Sequence, residues 1–280
     1  MTSKSPSQVL DDASKWWTTE IIDIHPGEIN IRGYPIEQLI GELRFPEMIW
    51  LMLRGDLPSR PHLKLFEAAL VAAVDHGPHA PSIAISRMAV TCGLPINGAM
   101  ASAINALDDV HGGAGQQCMA LYAEIAKHGN NGTVAMADVD VELDRFIEAH
   151  GKIVAGFGHR FHGVDPRAVK LLSLVDAEAD AGTVGGIFRH IGRAVDASLS
   201  RRKGVRIPMN IDGATAVIYS ELGFPPELGR GLFVLSRSVG ILAHAWEQRQ
   251  QGGRIKGPMP TSIPFNYAGP PERPFTSRTE

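Results

Sequence analysis

Cysteine is nearly absent: Cys92 and Cys118 are the only two in 280 residues. A disulfide framework is therefore excluded, and the usage suits a reducing compartment. Aromatic residues make up only 6%. No run of 18 apolar residues occurs, and the opening MTSKSPSQVLDDASK has no apolar signal core, so neither a membrane span nor a secretory leader is expected. An excess of charge of one sign is missing as well. Lys and Arg total 27 against 30 Asp and Glu, a net charge of −3, which argues against a nucleic-acid or general polyanion binder. There is no internal repeat, low-complexity block or P-loop, so the chain has no means of its own to use ATP. The expectation is a soluble cytoplasmic protein.

Hydrophobic residues reach 44% and charged residues 20%, and Ala, Leu, Ile and Gly are plentiful. That mixture favours closely packed helices in one large or two intimate domains. Residues 1–15 read as polar and loose. Residues 17–34 carry the one strand signal, an Ile-rich hairpin around His25-Pro26-Gly27. Beyond it the pattern is helical. Ile36, Leu39, Ile40 and Leu43 recur at helical spacing behind Pro35; a short helix runs from Pro46 to Arg54 with Gly55 as its stop, and another starts near Pro61. Further helices are predicted at about 82–92, 97–109, 114–128, 138–150, 166–180, 184–201, 211–222 and 229–251, then a Pro- and Gly-rich extended tail from Gly252.

Ionisable residues sit at loop–helix junctions beside glycine: His76 in DHGP, His111 before a double glycine, His159 and Arg160 after Gly156-Phe157-Gly158, and Asp212 in MNIDG. Glycine permits close approach to the backbone, and helix starts offer N–H groups to anions. Junctions far apart in sequence suggest one assembled site.

These motifs, taken in order, resemble the citrate synthase superfamily over nearly the whole chain: GEINIRGYPIEQL, WLMLRGDLP, HGGA, GFGHRFHGVDPRA, MNIDG and SRSVGILAH. DHGP at 75–78 and NIDG at 210–213 resemble most the citryl-CoA lyase branch, including the lyase portion of ATP-citrate lyase, because synthases usually show Asp-His-Glu at the first site and an aromatic after the second aspartate. The resemblance implies an all-α, two-domain fold with a small N-terminal β-hairpin. It also implies a large domain of residues 1–110 plus 222–280, a small domain of 111–221 closing over the cleft, and a homodimer.

It further implies cleavage of citryl-CoA to acetyl-CoA and oxaloacetate through an acetyl-CoA enolate. Asp212 would carry the α-carbon proton, His111 would donate to the thioester oxygen, and His159 would serve the tertiary hydroxyl. His76, Arg167 and Arg237 would hold substrate carboxylates, and Arg254 one of the neighbouring subunit. Coenzyme A, bound as substrate or product, would lie along Gly156, Phe157 and Gly158 with Arg160 near its phosphates. No tightly bound cofactor is implied. Two alternatives share the motifs: a citrate or methylcitrate synthase, and a catalytically silent CoA-binding regulatory relative.

Other readings compete at single residues. Asp165, ahead of Pro166, is expected to cap a helix. Arg201, Arg202 and Lys203 are a candidate contact for an adenosine phosphate. A guanidinium at position 237, on an apolar helix, requires a partner, either a bound carboxylate or an internal acid. His159 and His162 form an H-x-x-H pair without a third ligand, so no metal is expected. GFG lacks the third glycine and preceding strand of a dinucleotide fingerprint. His25, His62, His79, His128, His150, His190 and His244 are read as structural, and both cysteines as core residues.

Overall fold

The computed structural model describes residues 5–130, 132–158 and 163–275. The segment predicted to be loose opens with a helix, α1 (Pro6–Ser14), because Ser5 and Gln8 form a reciprocal capping box. The hairpin is present as β1 (Ile22–His25) and β2 (Glu28–Ile31), with β3 (Tyr34–Pro35) completing an antiparallel sheet. Its register pairs Ile22 with Ile31 and Ile24 with Ile29, and Gly27 takes the left-handed turn position at φ +85°.

The helix expected after Pro35 is only one turn, α2 (Ile36–Leu39). Gly41 at φ +88° turns the chain away and leaves Ile40 exposed, so the periodicity overstated the helix. The other predicted helices follow closely. They are α3 (Phe45–Arg54, ended by left-handed Gly55), α4 (Arg60–Ala72), α5 (Pro81–Thr91), α6 (Ile96–Ile104) and α7 (Ala114–Ala126). The series continues with α8 (Met136–His150), α9 (Pro166–Asp180), α10 (Ile187–Lys203), α11 (Ile211–Glu221) and α12 (Pro226–Gln251). Helix α6 stops five residues early because Asp108 and Asp109 belong to a turn closed by the Asp108 N–H donating to the His111 carbonyl at 2.8 Å.

Among the described residues the fold is all-α with one small sheet. By internal contacts it forms two compact units, Met1–Val74 with Asp108–Arg237, and Asp75–Leu107 with Ser238–Glu280. In the first, α11 is the central element: from Gly213 to Tyr219 every residue is buried, as expected for a helix apolar all round. It packs against α4, α7, α9 and α10 through Phe66, Tyr122, Ile125, Ile191, Val217 and Ile218. Trp50, Phe66, Tyr219 and Phe224 close one end with ring centroids 5.2–6.3 Å apart. The second unit joins α5 and α6 to the C-terminal half of α12. Its tail is pinned where Ile255 N–H donates to the Thr91 carbonyl, and from Gly252 to Phe275 it is irregular and exposed. Cys118 is buried as predicted. Cys92 is exposed, because it lies past the last turn of α5 as its C-cap.

Helix α11 starts with its backbone in close contact with another chain segment. A β-carbon on Gly213 would lie 2.5 Å from the Gly156 carbonyl and 2.5 Å from Met209 Cγ. Gly213→Ala should therefore destabilise the protein by about 1–3 kcal/mol through overpacking. A fall in the urea midpoint at unchanged slope would register it; an unaltered midpoint would mean the seam relaxes freely.

Candidate active site

Helix α11 begins with Asn210, whose side-chain oxygen accepts from the N–H groups of Asp212 at 2.9 Å and Gly213 at 3.3 Å. The Asn210 amide also donates to the Gly158 carbonyl at 2.7 Å. Residues 156–158 run antiparallel to 208–210: Gly158 N–H donates to Pro208 O, and Asn210 N–H donates to Gly156 O. This pairing turns the N–H and C=O of Phe157 away from the 208–210 segment. Gly156, at φ +84°, meets Cys118 and Gly213, where a β-carbon would stand 2.7 Å from the sulfur and 3.0 Å from the Gly213 Cα. Phe157 is a core residue. Gly156 thus serves close chain-to-chain packing, a role the sequence reading did not assign.

Asp165 caps α9 as expected, and it does more. Its Oδ1 accepts from Arg167 N–H and Arg167 Nε, both at 3.0 Å; its Oδ2 accepts from Arg167 Nη2 at 2.9 Å and Ile211 N–H at 3.1 Å. One carboxylate, 1% exposed, therefore ties the start of α9 to the start of α11 and orients the Arg167 guanidinium. Burial pulls its pKa up, but Arg167 and the two N–H groups prevail and hold it below the ordinary range.

Asp212 sits in the first turn of α11. Burial raises its pKa above the usual carboxylate value. The positive charges of Arg237 and Arg167 oppose that rise, and the Asp165 charge adds to it. Arg237 is 5% exposed; its Nε donates to the Ala73 carbonyl at 3.0 Å, and its guanidinium lies 4.8 Å from the Phe233 ring centroid. The Nε edge of this buried guanidinium is thus satisfied inside the chain.

His111 lies in the turn that leads into α7. Gly112, at φ +105°, and Gly113, where a β-carbon would stand 2.7 Å from the Asp109 Cα, make that turn. Arg230 pairs with both Asp108 and Asp109 and holds it down. At the head of α7, a β-carbon on Gly115 would stand 3.9 Å from the Asp212 carbonyl oxygen, so the His111 turn and the Asp212 turn are carried on packed helix starts. Asp212, Arg167, Arg237, His111 and residues 156–158 all belong to the first unit, and His76 and Arg254 to the second, where both are exposed. His159, Arg160 and His162 lie outside the described residues.

The basic cluster of α10 has internal partners. Arg201 pairs with Asp140, and Arg202 with Asp140 and Asp144, which accounts for both guanidinium groups without a phosphate. Several histidines are structural as expected: His62 contacts the Thr183 carbonyl, His128 pairs with Glu142, and His190 contacts the Val134 carbonyl. Cys118 and Tyr122 lie beneath the site. Burial pushes the Cys118 thiol up to about 12, with the Asp212 charge contributing. Among the described residues no group of three or more His, Cys, Asp or Glu could hold a metal ion. No helix among them is long and apolar enough to cross a membrane.

The described residues form a citrate-synthase-like helical architecture around the buried helix α11, with Asp212 in its first turn. Residues 13–73 and 58–258 match the family described as citrate synthase, C-terminal domain, and the chain belongs to the citrate synthase family. The citrate synthase of Acidithiobacillus ferridurans is 30% identical over 238 residues, 81% of this chain and 57% of that protein. The chain spans about half the length of the curated relatives it matches. The structure of citryl-CoA lyase from Hydrogenobacter thermophilus superposes with a TM-score of 0.80 at 29% identity, covering 93% of this chain and 98% of that one. Citrate synthase from Thermoplasma acidophilum, solved with carboxymethyl coenzyme A and oxaloacetate, gives 0.66 at 25% identity, covering 84% and 59%.

The two carboxyls should have opposite effects on stability. The Asp165 pKa is lowered on folding, so its contribution is present at neutral pH and lost as pH falls through the folded value. Asp165→Asn should cost about 2 kcal/mol at pH 7, with the gap closing on acidification. The Asp212 pKa is raised, so wild-type stability falls as pH rises from the unfolded to the folded value. Asp212→Asn should remove that loss and unfold at a higher temperature than wild type at pH 7. Melting curves across the acid range check both signs.

Proposed function

We propose that the chain is a citryl-CoA lyase-type enzyme that cleaves citryl-CoA to acetyl-CoA and oxaloacetate through an enolate. The observation that carries the reading is the Asp212 carboxyl, held above its usual pKa at the start of a buried helix, with Arg167 and Arg237 as the nearby positive charges. The match to a citryl-CoA lyase over nearly the full length of both chains supports cleavage over synthesis.

In this reading His159 takes the proton from the tertiary hydroxyl of citryl-CoA as the adjacent carbon–carbon bond breaks. The new carbonyl becomes that of oxaloacetate, and the bonding pair passes into the acetyl-CoA enolate. His111 donates a hydrogen bond to the enolate oxygen, where charge develops. Asp212, protonated, delivers its proton to the α-carbon, and its raised pKa favours holding that proton. Arg167 and Arg237 hold carboxylates of the substrate; planar guanidinium groups suit that task. His76 shares in holding them, and Arg254 reaches one in the neighbouring subunit of a homodimer. The outward-turned backbone of Phe157, between Gly156 and Gly158, receives coenzyme A, and Arg160 meets its phosphates. Closure of residues 111–221 over 1–110 plus 222–280 excludes water from the enolate. No metal or tightly bound cofactor enters the scheme, and citryl-CoA comes to the chain ready-made.

The rival within the same chemistry is a citrate or methylcitrate synthase, which must also hydrolyse the thioester. Purified protein given citryl-CoA should release acetyl-CoA and oxaloacetate without free thiol. Thiol release with net citrate formation from acetyl-CoA and oxaloacetate would overturn the lyase in favour of a synthase. Inertness in both assays with CoA still bound would favour the silent relative. Asp212→Asn should lower turnover at least about 10³-fold with CoA binding retained, as loss of a proton carrier requires. Near-normal turnover would remove Asp212 from the reaction.

A further inference from the structure

The second unit contains a chain of polar groups, assigned to nothing so far, that ends beside His76. Arg87 on α5 projects a guanidinium whose side chain is 14% exposed. Its Nη1 lies 3.1 Å from His244 Nδ1 on α12 and 2.5 Å from Glu247 Oε2, and its Nη2 donates to Gln251 Oε1 at 2.6 Å. On its other side, His244 Nε2 lies 3.3 Å from Asp75 Oδ2. That same oxygen accepts from the Gly77 N–H at 3.1 Å.

Donor and acceptor rules settle the proton. A guanidinium has only donors, so Nδ1 of His244 must accept; Nε2 then carries hydrogen and donates to Asp75. Asp75 in turn grips the backbone of the next two residues. Burial pulls its pKa up, but the hydrogen bond from His244 and the N–H groups of Gly77 and His76 hold it below the ordinary value. The turn these bonds close has Gly77 at φ +71°, a conformation that favours glycine. The charged groups facing His244 are Arg87 from α5, Asp75 from the turn, and Glu247 from its own helix at 3.9 Å.

The SRSVGILAH segment thus ends on a histidine that is more than filling. We propose that His244 is a positioning residue: held as the Nε2–H tautomer between Arg87 and Asp75, it fixes the 75–77 turn and so aims the His76 imidazole. The inference rests on His76 as a ligand for a substrate carboxylate. His244 touches no substrate in it and acts through Asp75 alone. Glutamine can reproduce the arrangement, with its oxygen accepting from Arg87 and its amide donating to Asp75. Leucine can do neither.

Five proteins test the proposal: wild type, His244→Gln, His244→Leu, His76→Ala and the double variant H76A/H244L. In the full chain without substrate, hydrogen exchange at the Gly77 amide should quicken at least about tenfold in H244L and stay near wild type in H244Q. Nitrogen shifts of the His244 ring should report hydrogen on Nε2. In the citryl-CoA cleavage assay H244L should raise KM about tenfold with kcat changed less than about threefold, and H244Q should restore KM. The double variant should be no worse than H76A alone, because both changes remove one interaction.

Unchanged Gly77 exchange in H244L, or additive losses in the double variant, would overturn the proposal. If H244L speeds exchange while H76A leaves KM normal, the clamp exists but His76 holds no substrate, which overturns the positioning role at its premise. An H244L protein with a lowered melting temperature, wild-type Gly77 exchange and unchanged KM would show a purely structural histidine.

Discussion

The Asp165 carboxylate is the contact on which the arrangement of the candidate site depends. It is buried, yet it accepts four hydrogen bonds from two segments 46 residues apart in sequence. A lone charge in that position would be costly. Shared between the α9 start, a guanidinium and the α11 start, it becomes a rivet. Asp212 lies one residue beyond one of its bonds, and Arg167 is held by two others. The local field at Asp212 is therefore shaped in part by a group that does not itself take part in the proposed chemistry.

Much of this was legible in the sequence, for identifiable reasons. Helices α8, α9, α10 and α12 were predicted close to their observed ends because each has a proline at its start or a glycine at its end. The hairpin was equally plain. The one-turn α2 and the early stop of α6 were not, because both are decided by what the following residues do: Gly41 enters the left-handed region, and Asp108 closes a turn on His111. Periodicity carries no signal for either event.

At the site the residue types were legible and their engagements were not. Asp165 announced itself as a cap by preceding a proline, but nothing in the spacing said that it also grips Arg167 and Ile211. Asn210 was overlooked, although an Asn directly before an apolar run is a recognisable cap. The glycines at 113, 156 and 213 were legible as places of close approach, but not that neighbouring backbone or side chain packs where their β-carbons would stand. A gap left for a ligand and a gap left for a neighbouring backbone look the same in one dimension.

The seam between α7 and α11 gives the molecule a built-in reporter. Cys118 is sealed under Gly156 and Gly213 with its thiol strongly resistant to ionisation, while Cys92 stands in the open at the end of α5. A disulfide dye should therefore titrate the folded protein in two phases, one prompt equivalent and one that waits for the seam to part. The slow phase would time the opening of the floor beneath the aspartate, with no substrate and no engineered probe.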